Sequence, residues 1–331
     1  MSFNIEVEGG TSVRLPTKGK YCDRDIVVTA QGGAEDLNEV LTDQEALIDE
    51  LKEVLRGKAS GSSDDLTRSI INKTITAYSD NEITTVGAYA FNGCNKMKSV
   101  NLQNATYVGQ YAFNGCSALT DVNLPNAKTV GGNAFQNCTS LTKLDLPKAT
   151  ELNNYLVSGC SSLTELNMPN AESGKGFAIA GSKVEHLNLP EFTSPGSSVF
   201  RGATSLRTVY MPKLIKLEAY LFMGDTALET VTFPKVASVG GQAMESCSAL
   251  TYVDLPICKR IDAKGFNKCS SLETLILRKS DAICTLANVS AFTGTPIASG
   301  TGFVMFSNDC HVLTSANFGV VFNGTELCRK G

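Results

Sequence analysis

The chain has 331 residues, 42% of them apolar and 19% charged, with 29 Gly and 10 Pro, which is the composition of a folded globular protein rather than a disordered or collagen-like chain. The net charge of −4 speaks against a broad basic surface for nucleic acid, and two His make a His-rich metal site or a His-based catalytic triad hard to build. We therefore expect no cofactor and no nucleic-acid partner. The unusual number is the 11 Cys, whose meaning depends on their spacing.

The N-terminal residues 1–32 predict a small β segment, with strands over Phe3–Val7 and Asp25–Ala30 and a turn-rich stretch between them. The start of the chain has no positively charged region followed by an apolar stretch, so we expect no secretory signal peptide. No run of about 18 apolar residues occurs, so we expect no membrane insertion.

Residues 12–30, SVRLPTKGKYCDRDIVVTA, resemble the N-terminal segment of tail-associated structural proteins of phages and prophages that infect gut Gram-positive bacteria. That resemblance implies a virion location, with residues 1–32 attached to other tail proteins.

A helix follows within residues 33–57, with Asp36 and Glu39 as a capping box and Gly57 as its end. Apolar residues occupy heptad positions a, d and e, with one polar residue among them: Leu37, Val40, Leu41, Gln44, Leu47, Ile48, Leu51, Val54 and Leu55. A stripe this wide predicts self-association of residues 37–56 as a trimer. The alternative is that the stripe packs on the end of the repeat region that follows. Residues 58–68 predict a flexible linker.

Residues 69–304 contain a 22-residue internal repeat. Its marker position recurs with one step of 21 residues, at Cys94, Cys116, Cys138, Cys160, Ser182, Ala203, Asp225, Cys247 and Cys269. Each marker is followed by the pattern L-x-x-L-x-L-P, and nine such cores occur between Met97 and Leu277. The alternation in L-x-L predicts a very short strand ended by Pro, and the rest of each unit predicts a turn with a short helical or irregular return. One unit cannot bury its own apolar face, so the units are expected to stack around a continuous core.

The patterns L-x-x-L-x-L-P and V-x-x-x-A-F-x-x-C resemble the leucine-rich repeats of the BspA type, and the resemblance covers roughly residues 83–300. It implies a right-handed solenoid with a parallel sheet on one side, used for binding rather than catalysis. The predicted fold is therefore an α/β repeat: a leucine-rich-repeat solenoid with a short parallel sheet, preceded by a small β segment and an oligomerising helix. Residues 69–91 also resemble the repeat onset of phage-borne proteins of this type.

The marker cysteines allow two interpretations. A ladder of disulfides or metal ligands is geometrically possible, because neighbouring rungs of a sheet are close enough to be bridged. Such a ladder would lapse at Ala203 and Asp225, however, and the sequence contains no C-x-x-C pair. We therefore predict small buried side chains that Ser or Ala can replace. Asp225 departs from this pattern, and we expect it to turn outward or to cap a return segment.

The L-x-L alternation also places two columns of side chains on the outer face of the sheet. The candidate ligand face consists of Asn101, Asp121, Asn123, Lys143, Asp145, Glu165, Asn167, His186, Asn188, Tyr210, Thr232, Tyr252 and Asp254, with Ile276 next in the second column. One interpretation is a polar surface for sugars or peptides, with Tyr210 and Tyr252 as aromatic platforms. The other is a solvated face whose Asn column hydrogen-bonds to itself, with His186 as a solvated ladder residue.

Catalysis is not expected on this face. Asp121 and Glu165 are two rungs apart in the open, where nothing desolvates a carboxylate and tunes its pKa for glycoside hydrolysis. The chain also contains no G-x-S-x-G, Walker or HExxH motif, so we do not predict an enzyme.

Residues 291–302 resemble the closing segment of the family, whereas residues 305–331 depart from it and are predicted to form either a cap or an atypical tail.

We predict a non-enzymatic phage tail-associated protein whose repeat face contacts a protein or glycan of the host surface. The alternative is a BspA-like adhesin on the bacterial cell surface, or a general protein–protein interaction module.

Overall fold

The computed structural model describes residues 3–7, 10–15, 26–31, 75–277, 284–286, 289–299, 301–306 and 326–327. The chain forms a parallel-stranded solenoid of stacked coils with little helix, as predicted for a leucine-rich-repeat fold. Contacts divide it into two compact units, residues 1–149 with 159–166 and residues 150–158 with 167–331. The predicted helix over 37–56, its trimer and the linker 58–68 lie outside the described residues, and so does most of 305–331.

The strands are β1 (Phe3–Val7), β2 (Gly10–Leu15), β3 (Ile26–Gln31), β4 (Ile75–Ser79), β5 (Thr85–Val86), β6 (Ser99–Asn101), β7 (Tyr107–Val108), β8 (Asp121–Asn123), β9 (Thr129–Val130), β10 (Lys143–Asp145), β11 (Glu151–Leu152), β12 (Glu165–Asn167), β13 (Ser173–Gly174), β14 (His186–Asn188), β15 (Ser194–Pro195), β16 (Thr208–Tyr210), β17 (Lys216–Leu217), β18 (Thr230–Thr232), β19 (Ser238–Val239), β20 (Tyr252–Asp254), β21 (Arg260–Ile261), β22 (Thr274–Leu277), β23 (Cys284–Leu286), β24 (Phe303–Phe306) and β25 (Glu326–Leu327). A 3-10 helix spans Val289–Phe292 and a short α-helix spans Pro296–Ser299.

Each coil contributes one strand to each of two kinds of parallel sheet. The L-x-L cores form the strands of the first sheet, as predicted: Val100 is buried, while Ser99 and Asn101 on either side of it are half-buried. A second sheet, which the sequence did not predict, is built from two-residue strands such as Thr129–Val130 in the return segment. The expected helical or irregular return is thus partly extended. Because the coils are stacked in parallel register, even two extended residues can form backbone hydrogen bonds with the same two residues of the next coil. Two residues are too few to show the alternation of apolar and polar residues that identifies a strand in a sequence.

The first unit contains the start of both sheets. Strands β4, β6 and β8 pair in parallel in the first sheet, β10 pairs with β12, and β5, β7 and β9 pair in the second sheet. Between the sheets lies a column of buried rings, in which Phe91, Phe113 and Phe135 stack with centroids 5.2 Å apart. Burying each ring contributes about 2–3 kcal/mol to stability, and the spacing between coils places the rings in contact.

The N-terminal strands continue the first sheet of this unit. Strand β1 pairs antiparallel with β4 and in parallel with β3, and β2 pairs antiparallel with β3. The strand predicted over Phe3–Val7 has those bounds, the one predicted over Asp25–Ala30 spans Ile26–Gln31, and Gly10–Leu15 was not predicted. Strands β1, β2 and β3 are thus joined to the first sheet, whereas the sequence predicts a separate segment. The end strand of a solenoid offers unpaired backbone groups, which these strands satisfy.

The second unit repeats the same plan. Strands β14, β16, β18, β20, β22 and β24 form its first sheet in parallel order. Its second sheet is built from β11, β13 and β15 and from β17, β19, β21 and β23, with β25 antiparallel to β23. Strand β24 runs through residue 306, beyond the predicted end of the solenoid at 304. The ring column recurs here, with Phe200 and Phe222 5.2 Å apart and both fully buried.

Candidate functional site

The candidate ligand face, called the sheet face below, consists of the outward side chains of the first sheet. In the first unit, Asn101 and Asn123 are register partners, and the Asn123 Nδ2 donates to the Asn101 Oδ1 at 2.8 Å. The prediction that the Asn column hydrogen-bonds to itself is confirmed for this pair. Asp121 lies beside them, exposed, and accepts a hydrogen bond from Thr120 at 2.7 Å.

A cation lies between two carboxylates on the same face. The Lys143 Nζ is 3.4 Å from an Asp145 oxygen and 3.5 Å from a Glu165 oxygen. The hydrogen bond and charge of Asp145, followed by those of Glu165, raise the pKa of Lys143. All three side chains are well exposed, so water screens these ion pairs and they contribute little to stability. The arrangement suits recognition of a polar partner, because it holds opposite charges in fixed positions without desolvating any of them.

Among the described side chains of the second unit, the sheet face carries one large exposed aromatic ring. Tyr210 is 58% exposed and lies between its register partner Asn188 and the exposed Thr232. The His186 Nδ1 is 2.8 Å from the Thr208 hydroxyl in the next strand. His186 is exposed, as expected of a residue on the outer face of the sheet.

The far end of this face differs from the prediction. Asn167 is exposed and Tyr252 is half-buried, but Asp254 is 6% and Ile276 7% exposed, so both lie inside. The expectation that Asp254 belongs to the exposed face is therefore wrong. Ile276 is apolar and gains by leaving water, and Asp254 is its register partner in the adjacent strand. Of the two predicted aromatic platforms, only Tyr210 is openly exposed.

A charged ladder flanks the sheet face of the second unit. Arg207 lies 3.6 Å from a Glu185 oxygen and 2.6 Å from a Glu229 oxygen. These three residues occupy the same position in successive coils, immediately before strands β14, β16 and β18. This ladder was not predicted, although the sequence shows charges of alternating sign at the repeat spacing, which indicate ion pairs between successive coils.

The marker cysteines are confirmed as small buried residues. In the first unit, the thiols of Cys116, Cys138 and Cys160 donate to the carbonyl oxygens of Phe91, Phe113 and Phe135 at 3.0–3.2 Å. All are free and fully buried. Burial raises the pKa of Cys94 to about 12, so this thiol is held in its protonated, unreactive form.

Asp225 occupies the marker position in the second unit and is fully buried, which corrects the expectation that it turns outward. Its Oδ1 accepts the backbone N–H of Ala203 at 2.9 Å, so the expected capping role is present. Among the described residues the Oδ2 has no hydrogen-bond partner. Burial raises the pKa of Asp225 well above its usual range, and the bonds from the Ala203 and Gly202 backbones offset only part of that rise.

A column of aromatic rings on the return segments was not predicted from the sequence. In the first unit Tyr89 and Tyr111 stack at 4.9 Å, and in the second unit Tyr155 and Phe177 stack at 5.3 Å. Each ring lies five residues before the marker position, in A-Y-A-F, Q-Y-A-F, N-Y-L-V and G-F-A-I. This recurrence could have identified the column.

Within the ranges that the structure describes, no three His, Cys, Asp or Glu side chains are grouped so that they could hold a metal ion. In that same part of the chain, no helix has the length and apolar character needed to cross a membrane.

The family model for the BspA type leucine-rich repeat region, in six copies, matches residues 84–207 and 193–307. Among solved structures, a leucine-rich repeat protein from Bacteroides ovatus is 18% identical over 68% of this chain and 87% of that chain, with a TM-score of 0.34. A leucine-rich repeat protein of T. pallidum is 22% identical over 53% of this chain and 78% of that chain, with a TM-score of 0.38. The pneumococcal vaccine antigen PcpA is 16% identical over 70% and 68%, with a TM-score of 0.39. No curated protein matches the sequence.

Proposed function

We propose that this chain, which belongs to the BspA-type leucine-rich repeat family, is a non-enzymatic binding module that contacts a protein or glycan of a cell surface through its sheet face. The observation that carries the proposal is the exposed Tyr210 ring, 58% open to solvent on a backbone held by parallel pairing. An exposed Tyr combines a large apolar surface with a hydroxyl group, and such residues dominate binding energy in interfaces.

The neighbours of Tyr210 support this role. Asn188, Thr230 and Thr232 surround the ring with exposed amide and hydroxyl groups that can donate and accept hydrogen bonds. The strands that carry them are paired in register, so little conformational entropy is lost when a partner binds. In the first unit, the Lys143 cluster offers fixed charges that would help to select a partner.

Binding is favoured over catalysis by the environment of the acidic groups. Lys143 lies between Asp145 and Glu165, and all three remain well exposed. A general acid or base usually works in a pocket that excludes water, whereas these two carboxylates are open to water beside a cation.

The finer proposal is that the chain is a tail-associated protein of a phage, with residues 1–32 attached to other virion proteins. It rests on the resemblance of residues 12–30 and 69–91 to such proteins. The competing location is the bacterial cell surface. Antibodies against the chain should label purified phage particles and leave uninfected, unpermeabilised bacteria unlabelled. Labelling of uninfected cells alone would favour the adhesin.

The sheet face can be tested with the full chain carrying a fluorescent label, on intact cells of candidate Gram-positive hosts. Tyr210→Ala should weaken cell binding at least about tenfold, because this ring is the largest exposed group among the described side chains of the face. The matched control is Tyr107→Ala, which removes a ring of similar exposure, 44%, from the second sheet and should leave binding unchanged. Equal losses in the two variants, with both proteins folded, would contradict the assignment of binding to the sheet face.

A further inference from the structure

The second unit carries a second surface, on the return segments rather than on the sheet face. Tyr155, Phe177 and Tyr220 each lie three residues after a strand of the second sheet, namely β11, β13 and β17. All three have positive φ angles between 52° and 61°, so the coils present them in the same way. Tyr155 and Phe177 are stacked at 5.3 Å with ring planes 3° apart. We call these rings, together with Arg201, the return column.

Arg201 fills the gap in this column. The coil between Phe177 and Tyr220 has Ser198 at the ring position, and the guanidinium of Arg201 occupies the space instead. Its Cζ lies 5.4 Å from the Phe177 ring centre and 5.7 Å from that of Tyr220. Both distances are within the range of cation–π attraction, so rings restrain the guanidinium on two sides.

Among the described residues, no acidic side chain neutralises the charge of Arg201. Within the described residues, Arg201 forms no ion pair and no side-chain hydrogen bond. The acidic residues nearest to the column along the chain already have partners, since Glu218 pairs with Lys216 and Glu151 pairs with Lys175, each at 2.9 Å. A restrained guanidinium therefore keeps its N–H donors available for a ligand.

The chemistry of this group selects a planar anion. The guanidinium fork donates two parallel hydrogen bonds to a carboxylate, and the flanking rings reduce the entropy that binding would otherwise cost. The rings of Tyr155 and Tyr220, 38% and 36% exposed, add apolar contact next to the charge. A carboxylate attached to a group with its own apolar faces would use both features.

The backbone of the returns favours a sugar over a peptide as the carrier of that carboxylate. An extended peptide that adds as a strand binds by pairing with free backbone groups. Here the N–H groups of Tyr155, Phe177 and Tyr220 are already bonded to carbonyls of the next coil, at 3.2, 2.7 and 3.2 Å. Recognition at these positions therefore uses side chains. The Arg201 fork can bind the carboxylate, and the hydroxyl groups of Tyr155 and Tyr220 can bond to sugar hydroxyls.

We propose that the return column, with Arg201 at its centre, is a binding site for the carboxylate of an acidic glycan. This site is independent of the sheet face and of the function proposed for it, because it uses different residues of the second unit.

The test is calorimetric titration of the full chain with three probes: oligogalacturonate, the same oligomer with its carboxylates methyl-esterified, and oligoglutamate of equal charge. Oligogalacturonate should bind and the ester should not. Arg201→Gln should weaken binding at least about tenfold, and Arg201→Lys should lose several-fold, because an ammonium keeps the charge without the planar fork. The control is Arg207→Gln, which removes an equal charge from the Glu185–Arg207–Glu229 ladder and should change the Kd less than about twofold.

Several results would overturn the proposal: no binding of oligogalacturonate, equal binding of the ester, or an equal loss in Arg207→Gln, which would mean diffuse charge attraction. Oligoglutamate that bound as tightly as oligogalacturonate would make the ligand a peptide and reject the glycan. The Arg201→Lys variant keeps the charge and the aliphatic stem, so it also separates loss of the fork from loss of folding.

Discussion

Single residues in this chain are constrained by the fixed distance between coils, and the marker position shows this most clearly. Cys suits it because a thiol is small, tolerates burial and donates to a carbonyl of the preceding coil, as Cys247 does to Phe222 at 3.1 Å. Asp225 fills the same space with a group that prefers water. The sequence predicted a buried column and identified Asp225 as its exception, but whether the carboxyl group stayed inside depended on packing.

Asp225→Asn should remove a pH dependence of stability. The pKa of Asp225 is raised in the folded chain, so both states are protonated below the unfolded value of about 3.8 and the residue then costs nothing. As the pH rises from there toward the folded pKa, the unfolded state ionises first and the native chain loses stability. The unfolding free energy of Asp225→Asn relative to the natural chain should therefore increase by about 1.4 kcal/mol per pH unit in this window.

Denaturant titrations between pH 4 and pH 7 measure this difference. Asp121→Asn is the control, because it neutralises an exposed carboxylate on the sheet face and should give a much smaller change with pH. A difference for Asp225→Asn that stayed flat across the range would show that the buried carboxyl group has no raised pKa.

At the scale of the elements, the two-residue strands of the second sheet depend on close approach between coils. In the sequence V-G-G at residues 239–241, the two glycines directly follow one such strand, β19. A Cβ on Gly240 would lie 2.8 Å from the backbone N of Ala219, whereas one on Gly241 would meet only the Ala263 oxygen at 3.6 Å. The L-x-L strands could be predicted because they alternate over several residues. The second sheet could not, because its strands are shorter than one pattern repeat.

Gly240→Ala should destabilise the chain by about 1–3 kcal/mol, because the backbone of the neighbouring coil would have to move. Gly241→Ala is the adjacent control and should be neutral or slightly stabilising, since the added methyl has room and restricts the unfolded chain. Thermal unfolding of the two variants beside the natural chain decides the point. Equal effects would mean that the coils do not approach each other at Gly240 as described.

At the scale of the whole molecule, the repeat carries the two proposed binding surfaces, and the N-terminal strands extend the first sheet of the first unit. The assembly of several chains remains a prediction from residues 37–56, which lie outside the described residues. Between Leu37 and Leu55, eight aliphatic residues and Gln44 occupy heptad positions a, d and e. A stripe of this width favours a bundle of three helices.

Sedimentation equilibrium of the full chain should therefore give about three times the protomer mass of 35.2 kDa. Replacing Leu47 and Leu51 with Glu should yield monomers, because charges cannot be buried in the bundle core. Asp49→Ala, on the outer face of the same helix, should leave the mass unchanged. A natural chain that is already monomeric, and that loses stability when Leu47 and Leu51 are replaced, would instead mean that the stripe packs against its own solenoid.

The 22-residue period was sufficient to predict the solenoid, its first sheet, the buried cysteines and most of the exposed face, because each of these follows from which side of a repeated strand a residue occupies. Features that depend on contacts between coils were not predictable in this way. Asp254 has the same place in the pattern as the exposed Asn188, yet it is buried beside Ile276. Arg201 lies outside the ring position and reaches the column only because Ser198 leaves a gap between two rings. In both cases the side chains of the neighbouring coil determine whether the residue is buried and what it contacts. The repeat pattern fixes the position of each residue in its coil but not the side chains that face it from the next coil.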